Sequence, residues 1–357
     1  MKSLFPSGRL ADLLRRARRR RLDAVLVFGQ KNNLSLIGFD CDNGCLVLTP
    51  GDGAAVFTTD FRYVPAVRRL VPDLSVVDCR RDLVGSVVKL LAGVPRTARI
   101  GFEGEIPAAQ YLALTKALPR AKFVDVADDL LLLRAVKTAD ELARLAAAEA
   151  LNDRIWQTAK REFKSGMTEK DMQRLIRAYM NALGDGEAFE TIVCAGANAA
   201  ECHHVPDDTV WRKGEPLLVD MGVKLDGVCS DMTRCIRPAV GRDAEYDRVY
   251  AAVLAANVAA IAACRPGLTG RELDAVARKS LGKAGYGKAF GHALGHGVGY
   301  QIHESPTASP RSETVLEPGM AVTIEPGVYL PGRLGVRIED LVVVTADGCE
   351  VLSRSAK

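Results

Sequence analysis

Apolar positions in the first third of the chain come as short bursts of strand length, separated by amphipathic stretches of helical length. Residues 7–20 put Leu10, Leu13, Leu14 and Ala17 on one side of a helix. Strand-like runs lie at 24–28, 44–48, 54–58, 74–77 and 99–102, and helical stretches at 62–70, 83–92 and 108–118. Alternation of this kind predicts an α/β domain. The texture changes around 133–140, where Thr138-Ala139-Asp140-Glu141 forms a capping box that opens a long Ala-rich helix to about residue 163. A domain boundary is expected just before it, near Arg134, which gives domains 1–134 and 135–357.

The pattern then repeats itself. The long helix ends at Ser165-Gly166-Met167-Thr168, and a second helix runs through about residue 183. Farther on, a helix over 244–264 ends at Pro266-Gly267-Leu268-Thr269, and another, capped by Thr269 and Glu272, runs through about residue 282. Each copy then turns to strands. The first reaches PLLVDMGVKLDGVCSDMTR, residues 216–234, where apolar residues flank Asp226-Gly227, the strongest local signal for a tight hairpin turn. With that pair as the turn, Leu225 faces Val228 and Gly222 faces Asp231, so Asp220 and Asp231 project from one face. The second reaches 321–326 and 335–344, also hairpin-like, carrying Glu325 and Glu339. Val336 and Ile338 alternate with Arg337 and Glu339, so Glu339 faces away from the aliphatics, and Pro326-Gly327 is expected to end the strand of Glu325.

Asp220 and Glu325 are 105 positions apart, Asp231 and Glu339 are 108 apart, and Thr168 and Thr269 are 101 apart. Two long copies indicate a duplicated domain and not a solenoid. Halves that face each other across an approximate twofold would bring the four carboxylates together. Such a gathering cannot stay ionised in a protein interior without compensation, and the number of acids favours two divalent cations over one.

Composition narrows the setting. The 357 residues are 48% hydrophobic and 26% charged, with a net charge of +4 spread along the chain, so nothing calls for nucleic acid or a membrane as partner. The basic run from Arg15 to Arg21 reads as a solvated helix face, since no aromatics interleave it. Nine scattered cysteines without a CxxC pair point to a reducing compartment, and neither a signal-peptide core nor a membrane-length apolar run is found. A cytoplasmic location is expected. Cys41 and Cys45 are spaced as half a metal site, but no second cluster completes it.

All five histidines lie between His203 and His303. His292 and His296 sit in GHALGHGVG, where four glycines argue for a loop or irregular strand, and no Glu follows the first His as in zincins. One neutral imidazole would complete the coordination of one cation. His303, in Ile302-His303-Glu304-Ser305-Pro306, and His203, in Cys202-His203-His204-Val205-Pro206, are candidate proton donors or oxyanion partners.

Six ordered blocks now stand out: VDMG (219–222), SDMTR (230–234), GHALGHGVG (291–299), IHESP (302–306), TIEPG (323–327) and GVRIED (335–340). Together they resemble the signature set of the pita-bread metallopeptidases, which include Xaa-Pro aminopeptidase, prolidase and methionine aminopeptidase, with creatinase as a cousin that uses no metal. Residues 1–134, for example LDAVLVFGQKNNLSLIGF (22–39), resemble the creatinase/prolidase amino-terminal domain. The resemblance implies an α/β creatinase-like domain followed by an α+β pita-bread domain with internal pseudo-twofold duplication.

Position by position, it implies that Asp220 chelates the first metal and that Asp231 and Glu339 bridge both. His296 and Glu325 complete the second, and Arg337 and Thr233 stand behind the bridging glutamate. His203, His292 and His303 would line the substrate site, with Glu325 as proton shuttle. His203 is preferred to His204 because Asn198, His203 and Pro206 fit the family spacing. Cys202 departs from the proline usual before that histidine, and Cys235 from a small polar residue.

The implied activity is hydrolysis of the peptide bond before a proline in second position, by an Xaa-Pro aminopeptidase or an Xaa-Pro dipeptidase, on di- or oligopeptides. Manganese is the favoured metal, with cobalt, zinc or iron as alternatives, and a homodimer is implied. Methionine aminopeptidase fits less well, because it usually lacks the amino-terminal domain. A creatinase-like C–N hydrolase without metal, or a non-enzymatic member of the fold, would show broken ligand sets, whereas all five ligands are present.

Overall fold

Ala24–Val27 is buried at every position and forms the middle of a six-stranded mixed sheet. In a computed structural model that describes residues 7–104, 106–238 and 243–357, the chain divides into two units, Met1–Arg134 and Ala135–Lys357. The sheet belongs to the first unit. Its strand order is Ser75–Asp78, Ala54–Thr59, Gly44–Thr49, Ala24–Val27, Arg99–Phe102 and Lys122–Asp125. The two pairings in the middle of the first four strands, made by Gly44–Thr49 with its neighbours, are antiparallel, and the others are parallel. Val25 and Val27 pack with Leu13 and Ala17 of helix Ser7–Arg19, while Ala24 and Leu26 face Leu83 and Val87 of helix Leu83–Leu90. Helices on both faces bury the central strand, which explains its unbroken apolar run. Arg15 and Arg18 through Arg21 are exposed, as a solvated face requires.

The second unit is built twice. Helices Ala139–Glu162 and Glu169–Leu183 place Ile155, Trp156, Met172 and Ile176 over Leu217, Val219 and Met221. Helices Ala244–Ala263 and Gly270–Lys283 place Val253, Leu273 and Ala277 over Val322 and Ile324. The strands carry the period-2 pattern of a sheet with one face under helices, so Asp220, Thr323 and Glu325 turn to the other face. Capping boxes open the second helix of each copy, Thr168 with Asp171 and Thr269 with Glu272. The repetition extends to single bonds. Glu169 N–H donates to Thr209 O and Lys170 N–H to Asp207 O, just as Gly270 N–H donates to Thr314 O and Arg271 N–H to Ser312 O.

The first hairpin has the register expected from Asp226-Gly227. Leu225 pairs with Val228, and farther along Met221 pairs with Met232 and Asp220 with Thr233. Both turn residues have positive φ, 49° and 77°, the geometry that makes Asp-Gly a good hairpin turn. In the second hairpin the strand ends before Pro326, as expected: Ala321–Ile324 pairs with Asp340–Val344, and beyond the break a separate strand, Gly327–Leu330, pairs with Leu334–Arg337 in the same register. Proline has no N–H to give the ladder, so the pairing pauses and then resumes. At the pause the Glu325 N–H donates to Leu294 O at 2.8 Å, and the Glu339 N–H donates across to Thr233 O of the first hairpin at 3.3 Å. Among the described residues no helix is long and apolar enough to cross a membrane.

Candidate metal centre

The inner faces of the two copies enclose a cavity of about 380 Å³. It is lined by Asp220, Asp231, Glu325 and Glu339, by His203, His292, His296 and His303, and by Arg337, with Phe189, Ile192 and Ile302 among its apolar walls. Thus every candidate ligand and catalytic residue named from sequence lines this cavity, as does Arg337, and Thr233 lies directly behind it. Its hydroxyl donates to Glu339 Oε2 at 2.7 Å and accepts from Arg337 Nε at 2.9 Å. GHALGHGVG is irregular apart from the three-residue strand Gly295–Gly297, which carries His296. Gly295 and Gly297 are required there. A Cβ at Gly295 would meet Thr323 O at 1.9 Å, and one at Gly297 would meet Ser305 O at 2.2 Å.

Asp231 and Glu339 are only 3% and 2% exposed. Burial, and then the charges of neighbouring carboxylates, push both well above the usual carboxylate range. Burial raises Glu325 to about 8, against the opposing pull of Arg337. Burial also pushes His292 and His296 down to about 4, and it lowers His303, so these imidazoles are neutral at ordinary pH. Arg337 is the cation of the group. It donates from Nη2 to Asp220 Oδ2 at 2.6 Å and from Nη1 to the Tyr329 hydroxyl at 2.9 Å.

The donor set fits divalent cations. His296 Nδ1 contacts Gly297 O at 3.1 Å, which assigns the proton to Nδ1 and leaves the Nε2 lone pair facing inward. That lone pair points at Asp231 Oδ2, 3.6 Å away, and Glu325 Oε1, 3.4 Å away. Lone pairs converging in this way repel unless a cation lies among them. Ligand atoms of Asp231, His296 and Glu339 lie within 4.8 Å of one another, and Asp220 Oδ1 is buried without a hydrogen-bond partner. One cation used by the Asp231–His296–Glu339 group and a second by the open oxygen of Asp220 would satisfy these atoms.

Not all of the histidines are equally free. His292 contacts Ala293 O through Nδ1 at 2.8 Å and the Tyr329 hydroxyl through Nε2 at 2.9 Å, so both nitrogens are engaged. His303 stands edge-on to His296, with ring centroids 4.3 Å apart. His203 lines the cavity, whereas its neighbour His204 turns onto the buried carboxylate of Glu169 at 2.7 Å. Sequence reasoning missed Tyr329, Thr323 and Glu149. Thr323 donates to Glu325 Oε1 at 3.1 Å and accepts the His296 N–H at 3.0 Å, and Glu149 accepts the Asp231 N–H at 3.1 Å. Only Thr323 carried a usable signal, since it lies two positions before Glu325 on one face of a strand.

Fold and donor set together define a peptidase of the metal-dependent class. The profile of metallopeptidase family M24 matches residues 143–346, and that of the creatinase/prolidase N-terminal domain matches residues 9–136. The chain belongs to metallopeptidase family M24 and is a hydrolase of that family. It is 34% identical to the uncharacterized peptidase YqhT of Bacillus subtilis (strain 168), over 94% of this chain and 95% of that one. Among solved structures it resembles an Xaa-Pro dipeptidase from Bacillus anthracis, with TM-score 0.91, 32% identity and 98% of each chain covered. It also resembles an X-Pro aminopeptidase from Thermotoga maritima MSB8, with TM-score 0.86, 28% identity, and coverage of 97% of this chain and 98% of that one.

Proposed function

We propose that the chain is a dinuclear-metal exopeptidase that hydrolyses the peptide bond before a proline in second position. The observation that carries this reading is the convergence of Asp220, Asp231, His296, Glu325 and Glu339 on one cavity, with the His296 lone pair aimed at two carboxylates. These five residues would hold the cations, manganese being the favoured metal. When bound, the cations supply Lewis acidity that polarises the scissile carbonyl and acidifies the attacking water. Residues 1–134 and 135–357 are read as the amino-terminal and catalytic domains of a cytoplasmic homodimer.

The chain's own groups do the rest. Glu325 has one oxygen held by Thr323, so its other oxygen is the one to take a proton from water and return it to the leaving nitrogen. That return matters for proline, because its amide nitrogen carries no hydrogen and leaves as a free amine only when protonated. His303 and His203 line the cavity where they can donate to the carbonyl oxygen or hold the peptide. Phe189, Ile192 and Ile302 offer apolar surface for a pyrrolidine ring.

The test compares Ala-Pro with Ala-Pro-Ala, each with added manganese and again after exhaustive chelation. Hydrolysis that chelation abolishes and manganese restores is expected, and the better substrate decides between dipeptidase and aminopeptidase. Full turnover by metal-free protein would refute the proposal.

A further inference from the structure

His204 and Glu169 lie outside the cavity, and the reaction proposed above does not use them. Glu169 opens helix Glu169–Leu183 and its side chain is fully buried. Four donors meet its carboxylate. Oε1 accepts the Ala195 N–H at 2.6 Å and the Asn198 side-chain amide at 3.0 Å. Oε2 accepts His204 Nε2 at 2.7 Å and the Asp207 N–H at 3.0 Å. The donors come from residues 195, 198, 204 and 207, so they bracket the loop that carries His203 on both sides. A carboxylate with all its acceptor sites filled by donors is a fastener and not a cation site, although Glu169, His204 and Asp207 cluster closely enough to suggest one.

The other copy shows why a fastener is needed. His303 lies 100 positions after His203, and the position 101 after Glu169 is Gly270. There the following segment packs directly on the helix start, and a Cβ at Gly270 would meet Thr307 O at 2.0 Å. Residues 304–308 form a strand. In the first copy the corresponding segment is irregular, and the Glu169 side chain occupies the space between it and the helix. One histidine is thus seated by backbone contact and the other by a side-chain clamp.

We propose that His204 is a positioning residue: with Glu169 it clamps the 198–207 loop and sets where His203 stands in the cavity. The proposal rests on the reading that His203 touches the substrate. Loss of the His204 N–H frees one side of the loop and leaves part of the buried carboxylate unpaired, while the cations' ligands are untouched. Misplacing a reacting group by about 1 Å costs up to roughly a hundredfold in rate.

The experiment measures kcat, KM and bound manganese for His204→Ala, His204→Gln, His203→Ala and the His203→Ala/His204→Ala pair, on whichever of Ala-Pro and Ala-Pro-Ala is turned over. His204→Ala is expected to lower kcat by roughly tenfold to a hundredfold with manganese content unchanged. His204→Gln, which keeps an N–H near the Nε2 position, is expected to recover most of the loss. In the His203→Ala background His204→Ala should add less than about threefold, because it acts through His203. A kcat within about twofold of the parent for His204→Ala, or an equal loss in both backgrounds, would overturn the proposal. Unchanged activity of His203→Ala would overturn it as well, by removing His203 from the reaction. Failure of the metallopeptidase reading shows separately, as turnover that survives chelation. Melting curves identify any variant that fails to fold, and Asn198→Ala, which removes a different donor from the same carboxylate, then repeats the test.

Discussion

Arg337 sets a buried positive charge against the carboxylate cluster, and removing that charge should be measurable without any activity assay. Arg337 is 3% exposed and its guanidinium bonds Asp220, Thr233 and Tyr329, while Glu325 and Glu339 lie close enough to perturb it. Arg337→Met keeps much of the stem and deletes the charge. Asp220 then has neither oxygen paired, and the pull that Arg337 exerts on Glu325 and Glu339 is gone. Breaking a buried ion pair from one side destabilises by about 3–5 kcal/mol. At about 2–4 °C per kcal/mol for a unit of this size, the metal-free Tm should fall by roughly 6–20 °C. Calorimetry of the chelated protein measures that fall. Adding Asp220→Asn should restore part of it, because the uncompensated carboxylate is removed too. Manganese should raise the Tm of Arg337→Met more than that of the parent, since the variant site is more negative. A fall of less than about 2 °C, or strict additivity with Asp220→Asn, would refute the charge-balance reasoning.

Two further predictions concern the loaded protein. Glu339→Gln should abolish turnover of an Xaa-Pro peptide and the occupancy of at least one metal; elemental analysis that finds two manganese ions at a normal rate would remove Glu339 from the centre. His303→Ala should lower kcat by roughly two to four orders of magnitude with both metals retained, and an unchanged kcat would make His303 structural.

Much of the architecture was legible wherever local chemistry dictates it. Asp226-Gly227 sets a hairpin register that the structure keeps from Leu225 back to Leu217, and Thr138 and Thr269 mark helix starts by their capping partners. The duplication was visible in the spacing of acids and threonines. What escaped depends on distant partners. Helix Gln30–Ile37 carries only weak amphipathic patterning, and its entry is held by Glu103, which accepts the Phe28 and Gly29 N–H groups at 2.8 and 2.6 Å. Strand Lys122–Asp125 is an edge strand with a single adjacent apolar pair, Phe123-Val124, between charged residues, so neither alternation nor an apolar run marks it. At the centre, sequence drew together the five candidate ligands with Arg337 and Thr233, but not their other supports. Tyr329 and Glu149 reach the site only through three-dimensional packing, and no spacing rule connects Glu149 with Asp231. His204 was set aside in favour of His203 by the family spacing, which gave no hint of its partner Glu169, 35 positions earlier.

The pause in the second hairpin has a mechanical consequence. Because Glu325 gives its backbone N–H to Leu294, just before strand Gly295–Gly297, and Glu339 gives its own to Thr233 of strand Met232–Ile236, the acids are stitched at once to the histidine-bearing segment and to the opposite half. Neither half can slide past the other without tearing a main-chain bond at an acid itself. The spacing of the acids is therefore set by peptide groups as well as by their side chains.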